Sequence, residues 1–202
     1  EFIDAYPETA EGQEHLDFYT QGREEARRNF TETAEAADRG EDVTDDVLLR
    51  LLPYADHAAN REKGAWICIA PAITGNLQGW FESKKWIEPE QWPQTAESIL
   101  HFIRRCIDDP AQLADACKEF SELPYKGFQS GMLSPILNAL RPEDFMLINS
   151  KSLRVVNYFR GESYTQGLLD YPAVNAAEQR LVAEVSSEIH RYETPEIRDS
   201  DL

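Results

Sequence analysis

The stretch from Leu123 to Phe159, LPYKGFQSGMLSPILNALRPEDFMLINSKSLRVVNYF, is where the chain has the fewest folding choices. Pro124 and Gly127 punctuate a turn, and an apolar segment then runs to Arg141-Pro142. A residue before proline is pushed off helical backbone, so a helix must end there. A short extended piece, Phe145 to Ile148, comes next, and a second helix opens near Asn149 or Ser150. Pro135 sits inside the apolar segment, where a proline costs about 3 kcal/mol. Either Ser134-Pro135 opens a short helix or a longer one is kinked at that point. Two helix openings in one unit gather unpaired backbone N–H groups, which suits an anion such as phosphate.

The same stretch is an island of positive charge. Between Tyr125 and Gly161, Lys126, Arg141, Lys151, Arg154 and Arg160 face only Glu143 and Asp144, a net of +3 in a chain of −17. So acidic a chain argues against generic nucleic-acid binding, which needs a basic footprint. A local basic groove escapes that argument, because charges beyond roughly 8–10 Å are screened at physiological salt. Two function classes therefore stand: a DNA-recognition module using the island, and a protein-interaction scaffold using the acidic surface.

Two family resemblances attach to these residues. LPYKGFQSG followed by an apolar helix looks like the helix–hairpin–helix turn of DNA-repair glycosylases. Gly127 fits the second hairpin glycine, while Tyr125 stands where the first is expected. Asn149 and Ser150 occupy the place of the catalytic aspartate, so a degenerate glycosylase would lack its carboxylate; Asp144 lies five residues early. The closer resemblance is to the segment preceding the AAA+ motor in McrB-like restriction proteins. Its G-x-x-x-G, apolar helix, P-x-x-F, strand and N-S-K-S pattern is met here by Gly127, Gly131, Pro142, Phe145 and Asn149 to Ser152.

That resemblance implies a non-catalytic domain that selects DNA, including base-modified DNA, beside a nuclease subunit or other protein partner. The usage of Cys68, Cys106 and Cys117 fits a cytoplasmic setting. Nucleotide and Mg would belong to a linked AAA+ motor, since no GxxxxGK[ST] lies in this chain. No cofactor or metal is expected of the chain itself. Lys126, Gly127, Gly131, Lys151 and Arg154 would hold the backbone. Asn149 would cap its helix or read a base edge, and Tyr125 and Phe128 would stack, wedge or anchor.

The rest of the sequence predicts a mainly α domain over residues 1–192 with one or two short strands, a sub-boundary near 93–96, and a tail over 193–202. Glu1 to Thr9 reads as a loose start, and the missing initial methionine suggests a trimmed chain or a piece of a longer one. Gln13 to Ala37 reads as a long helix with a thin stripe of Leu16, Tyr19, Arg23, Ala26 and Phe30. Its Arg23, Arg27 and Arg28, mixed with Glu24 and Glu25, are expected on a solvated face. Thr44 is placed to cap the next helix, whose inner residues are Val47, Leu48, Leu51 and Leu52. His57 to Lys63 is loop or short helix, and Ala65 to Ile69 is a buried strand or the start of a buried helix.

Gly75 to Pro93 holds Trp80, Trp86 and Trp92, interleaved with Lys84 and Lys85. Such a stretch either stacks bases or anchors a loop in the core. Ala96 to Ile107 is an amphipathic helix, and another runs to about Phe120, placing Cys106 and Cys117 in the core. Pro172 opens a last helix with Val174, Ala177, Leu181, Val182, Val185 and Ile189 on one face.

The chemistry motifs are sparse. His15, His57, His101 and His190 lack metal spacing, and Cys68, Cys106 and Cys117 show no paired spacing, which suits a reducing compartment. Glu82-Ser83-Lys84 matches the E-x-K half of restriction-type nucleases, without an upstream Pro-Asp. No apolar run approaches a membrane span.

Overall fold

The computed structural model describes residues 9–189, with side chains through Val185. Residues 1–8 and 190–202, with His190 and the 193–202 tail among them, lie outside the described residues. The chain is mainly α, as its periodicities require.

Helix α1 (Ala10–Asp38) opens on Thr9, whose hydroxyl accepts from Gly12 N–H at 2.9 Å. Its inward seam is unusually polar, with Arg23, Asn29 and Thr33 buried beside Ala26 and Ala36. Arg23 therefore departs from the solvated face expected of it, whereas Arg27 and Arg28 stay exposed. The polar seam serves neighbouring backbone. Asn29 Nδ2 donates to the Arg50 carbonyl at 2.9 Å, and the Gly22 carbonyl accepts from Trp66 Nε1 at 2.9 Å.

Helix α2 (Asp46–Leu51) is a wide π turn that buries Val47, Leu48 and Leu51. Outside donors take the carbonyls of its last turn. Tyr54 hydroxyl reaches Leu48, Trp66 N–H reaches Leu49 at 2.8 Å, and Asn29 reaches Arg50. Thr44 is not the cap here. Its N–H and hydroxyl both donate to Asp42 Oδ1, so the side-chain acceptor lies two residues earlier. Helix α3 (Ala58–Glu62) fills the polar run after Pro53.

Ala65 to Cys68 is non-helical, Ile69 begins a bend, and β pairing among the described residues is confined to two isolated parallel bridges, from Tyr54 to Ile67 and to Ile73. Helix α4 (Leu77–Ser83) is capped by Asn76 and carries Trp80. Helix α5 (Trp92–Asp108) starts earlier than its apolar periodicity suggested and runs unbroken through 93–96. Pro93 sits in its first turn, where a missing N–H costs nothing. Helix α6 (Leu113–Glu122) follows, and residues 123–129 lead into α7 (Ser130–Leu140). Cys106 and Cys117 are fully buried, and one core cluster runs from Ala26 to Val174 and draws on α1, α2 and α4 to α7, but not on α3.

Helix α7 continues through Pro135, which is buried. The first turn precedes the proline, so the penalty falls on the Gly131 carbonyl, which loses its i+4 donor. Beyond Arg141, residues 145–148 are extended yet belong to no sheet. Side chains supply the missing strand partners. Asn138 donates to the Phe145 carbonyl at 2.7 Å, and Ser134 Oγ accepts from Ile148 N–H at 2.8 Å. From the other side, Asn175 accepts from Met146 N–H and donates to the Asp144 carbonyl, while Tyr171 hydroxyl donates to the Met146 carbonyl. These bonds set where α8 (Ser150–Arg160) begins.

The last helix, α9 (Tyr171–Ile189), buries Tyr171, Val174 and Ala177. Its outer end departs from the expected face, because Val185 is 44% exposed.

Candidate functional site

The openings of α7 and α8 lie side by side on one cleft. Ser130 fixes the first: its N–H and hydroxyl both donate to the Gln166 carbonyl, at 3.1 and 3.0 Å. Asn149 fixes the second as a capping box. Its Oδ1 accepts from Lys151 and Ser152 N–H, and Ser152 Oγ accepts from Asn149 N–H at 3.0 Å. Of the two roles open to Asn149, the cap therefore occupies its side-chain oxygen.

The cleft holds about 440 Å³ of room and is open to solvent. Gln129 and Gly131 line it from α7, Asn149, Ser150 and Lys151 from α8, and Trp80 and the Ile69–Ala72 turn from the opposite side. Gly127 and Gln166 complete it. Among the described residues, the N–H groups of Gly131 and Ser150 have no hydrogen-bond partner. Neither helix carries an acid in its first turn, and Lys151 adds a cation to the first turn of α8. The positive dipole ends are thus reinforced, the reverse of the usual arrangement. An anion seated here would satisfy both N–H groups and both dipoles.

The structure thus brings Trp80, Gly127, Gly131, Asn149 and Lys151 together around one cleft. Lys126 and Arg154 are exposed nearby in sequence, on the 123–129 connection and on α8, but do not line the cleft. Lys84 and Lys85 are exposed at the end of α4. Of the five cations in the basic island, Arg141 is paired with Asp144 at 2.6 Å and Arg160 with Glu184 at 2.9 Å. Among the described residues Lys126, Lys151 and Arg154 make no ion pair.

The aromatic residues divide differently. Trp80 is 47% exposed, but Trp86 is half-buried, its ring 5.3 Å from that of Trp80 and 5.4 Å from that of Phe81. Phe128 is buried between Phe81 and Phe120, at 5.1 and 5.9 Å, and offers no ring face to a base. Tyr125 is half-buried against the same core. Phe128 is thus an anchor, and Tyr125 leans on the core beside it. Gly127 is required by this cluster: it has φ +91°, and a Cβ there would meet Trp86 at 2.7 Å and Phe81 at 2.9 Å.

Sequence reasoning missed Gln129, Ser150, Gln166 and the Ile69–Ala72 turn as cleft residues. Gln129 precedes α7 without a side-chain cap, and the turn and Gln166 are distant in sequence, so none of them carried a signal.

Elsewhere the chemistry is quiet. Burial pushes the Cys68 thiol up to about 11 and Cys106 to about 12, and Cys117 higher still, so all three are protonated at neutral pH. Glu82 accepts from Trp92 Nε1 at 2.8 Å and sits on a helix, not on the strand that an E-x-K site uses. Among the described residues no group of three or more His, Cys, Asp or Glu is placed to hold a metal ion, and no helix is long and apolar enough to cross a membrane. No family model, no curated protein and no solved structure matches the chain.

Proposed function

We propose that this chain is a non-catalytic recognition module that grips the DNA backbone at the cleft between the α7 and α8 openings. The observation that carries this reading is the convergence of two acid-free helix N-termini, two unpaired N–H groups and Lys151 on one open wall. Phosphate is the anion DNA presents at regular intervals, and N–H groups at helix openings are common phosphate ligands. Lys126 and Arg154 extend the positive surface, and Trp80 supplies an exposed ring at the opposite lip. The resemblance to McrB-like proteins supports placing the module beside an AAA+ motor and a nuclease partner.

The acidic remainder of the molecule does not oppose this local grip, since its repulsion is screened beyond about 8 Å at physiological salt. It does predict weak, strongly salt-dependent binding.

Fluorescence anisotropy with short duplexes, unmodified and cytosine-modified, tests the proposal across a salt series. The expected result is binding with a slope of about two or three phosphate contacts, lost when Lys126, Lys151 and Arg154 are all changed to Glu. A preference between the duplexes would name the target. No binding at low salt, or binding indifferent to the triple reversal, overturns the reading and leaves a protein-interaction scaffold using the acidic surface.

A further inference from the structure

Helix α8 carries a second feature that the cleft does not use. Lys151, Arg154, Val155, Tyr158 and Phe159 follow the i, i+3, i+4, i+7, i+8 spacing of a helix face, the pattern that normally marks a core stripe. Here that stripe points to solvent, while Leu153 and Val156 on the other side are buried. Tyr158 is 82% and Phe159 65% exposed, with rings edge to face at 5.3 Å. Exposed aromatics adjoining one another on a helix gain nothing for the fold and leave their π faces available.

The charge on this helix sharpens the choice of occupant. SKSLRVVNYFR contains no Asp or Glu, although the chain as a whole is −17. Arg160 is held by Glu184, so the free cations are Lys151 and Arg154, both on the exposed stripe. Cations alternating with aromatic faces, without an acid between them, form the surface that binds single-stranded nucleic acid. A protein-docking stripe would be expected to offer more aliphatic area, and Val155 is its one aliphatic residue. The stripe also begins at Lys151, on the cleft wall, so a strand leaving the cleft would meet it directly.

Resting on the phosphate-gripping reading of the cleft, we infer that the exposed face of α8 is a track for single-stranded DNA or RNA, with phosphates at Lys151 and Arg154 and bases stacked on Tyr158 and Phe159. Stacking is tolerant of sequence because every base has a π face. The track therefore supplies affinity for an unpaired segment, and the cleft supplies the backbone grip shared with duplex.

The test compares a labelled oligothymidylate of about ten nucleotides, within the usual site size, with a duplex of the same length. The probes are titrated against the chain and its Tyr158→Ala/Phe159→Ala variant. The double variant should lose about tenfold or more in single-strand affinity, with duplex affinity changed less than about twofold. Tyr158→Trp should retain single-strand binding, and the thermal midpoint of each variant should match the parent, since both rings lie outside the core.

Binding of duplex but not of single strand by the parent chain sinks this inference and leaves the cleft reading intact. Equal binding of the single strand by parent and double variant does the same. Binding of neither probe sinks both. Self-association of the parent in sedimentation, abolished in the double variant, would instead make the stripe an interface between copies of this chain and would overturn the track.

Discussion

Helices α7 and α8 are neighbours in sequence, each of 11 residues, and they are built on opposite plans. Nine positions of α7 are buried and none is charged; only Leu153 and Val156 of α8 are buried, and it carries three cations. The polar residues of α7 point inward and hold backbone: Ser134 and Asn138, one turn apart, grip Ile148 and Phe145. On α8, Ser152 helps cap the helix start, Asn157 holds the Tyr164 backbone and Arg160 pairs with Glu184, while Lys151 and Arg154 face water. One helix is a pillar and the other a display. A binding surface needs a support whose own rotamers are locked, and here the support lies one turn and one extended segment away in sequence.

The largest expected effect separates pillar from display by stability. Leu137→Ala in α7, at a fully buried position, should lower the unfolding free energy by about 4 kcal/mol, while Tyr158→Ala in α8 should stay within about 0.5 kcal/mol. Chemical denaturation of the two variants checks this; equal losses would mean that Tyr158 is not the solvent-facing residue described.

A second contrast concerns where charge is placed. Lys151 and Arg154 of α8 stand in water, but Glu178 on α9 is half-buried, and its Oε2 is buried without a hydrogen-bond partner. Burial pushes its carboxyl up to about 7 from the ordinary 4.5. Between those values the unfolded chain has lost this proton while the folded one keeps it, so stability falls as pH rises from about 4.5 to about 7 and then levels off. Glu178→Gln should remove that part of the pH dependence and raise stability at pH 8 by up to about 3 kcal/mol, with little effect below pH 4.5. A variant whose pH profile parallels the parent between pH 5 and 8 would refute the assignment.

The smallest effect tests the junction of the two helices. Asn149→Ala removes the acceptor for Lys151 and Ser152 N–H and should cost about 1 kcal/mol in thermal or denaturant unfolding. If the cap is all that Asn149 contributes, Asn149→Asp should restore stability, since aspartate caps equally well, and would weaken any anion held in the cleft.

Much of this was legible in the residues themselves. The opening at Asn149 and the break at Arg141-Pro142 follow from local chemistry, because a polar cap ahead of a helix and a proline after one act over a single turn. Gly127 was legible as a backbone exception, but its reason was not: the rings of Trp86 and Phe81 that crowd it come from a separate stretch of chain. Arg23 belongs by spacing to the stripe of its helix and by charge to its solvated face, and its burial was decided by the elements that close over α1. Val185 fails in the opposite sense, since its periodicity is that of a core face but exposure is decided by what lies opposite. Phe145 to Ile148 looked like a strand, and its dihedral preference was real; its partners proved to be the side chains of α7 and α9, which no local pattern announces.

The amino-acid sequence alone determined the helical class, the break at Arg141-Pro142, the helix opening at Asn149 and the island of positive charge. Those properties are set by steric and electrostatic interactions within a few residues. Only the tertiary structure decided that the two helix openings share one cleft with Trp80, that Phe128 is an anchor, and that the amphipathic stripe of α8 faces water. Burial and convergence depend on contacts between segments far apart in the chain, and periodicity specifies that a face exists without specifying what, if anything, will cover it.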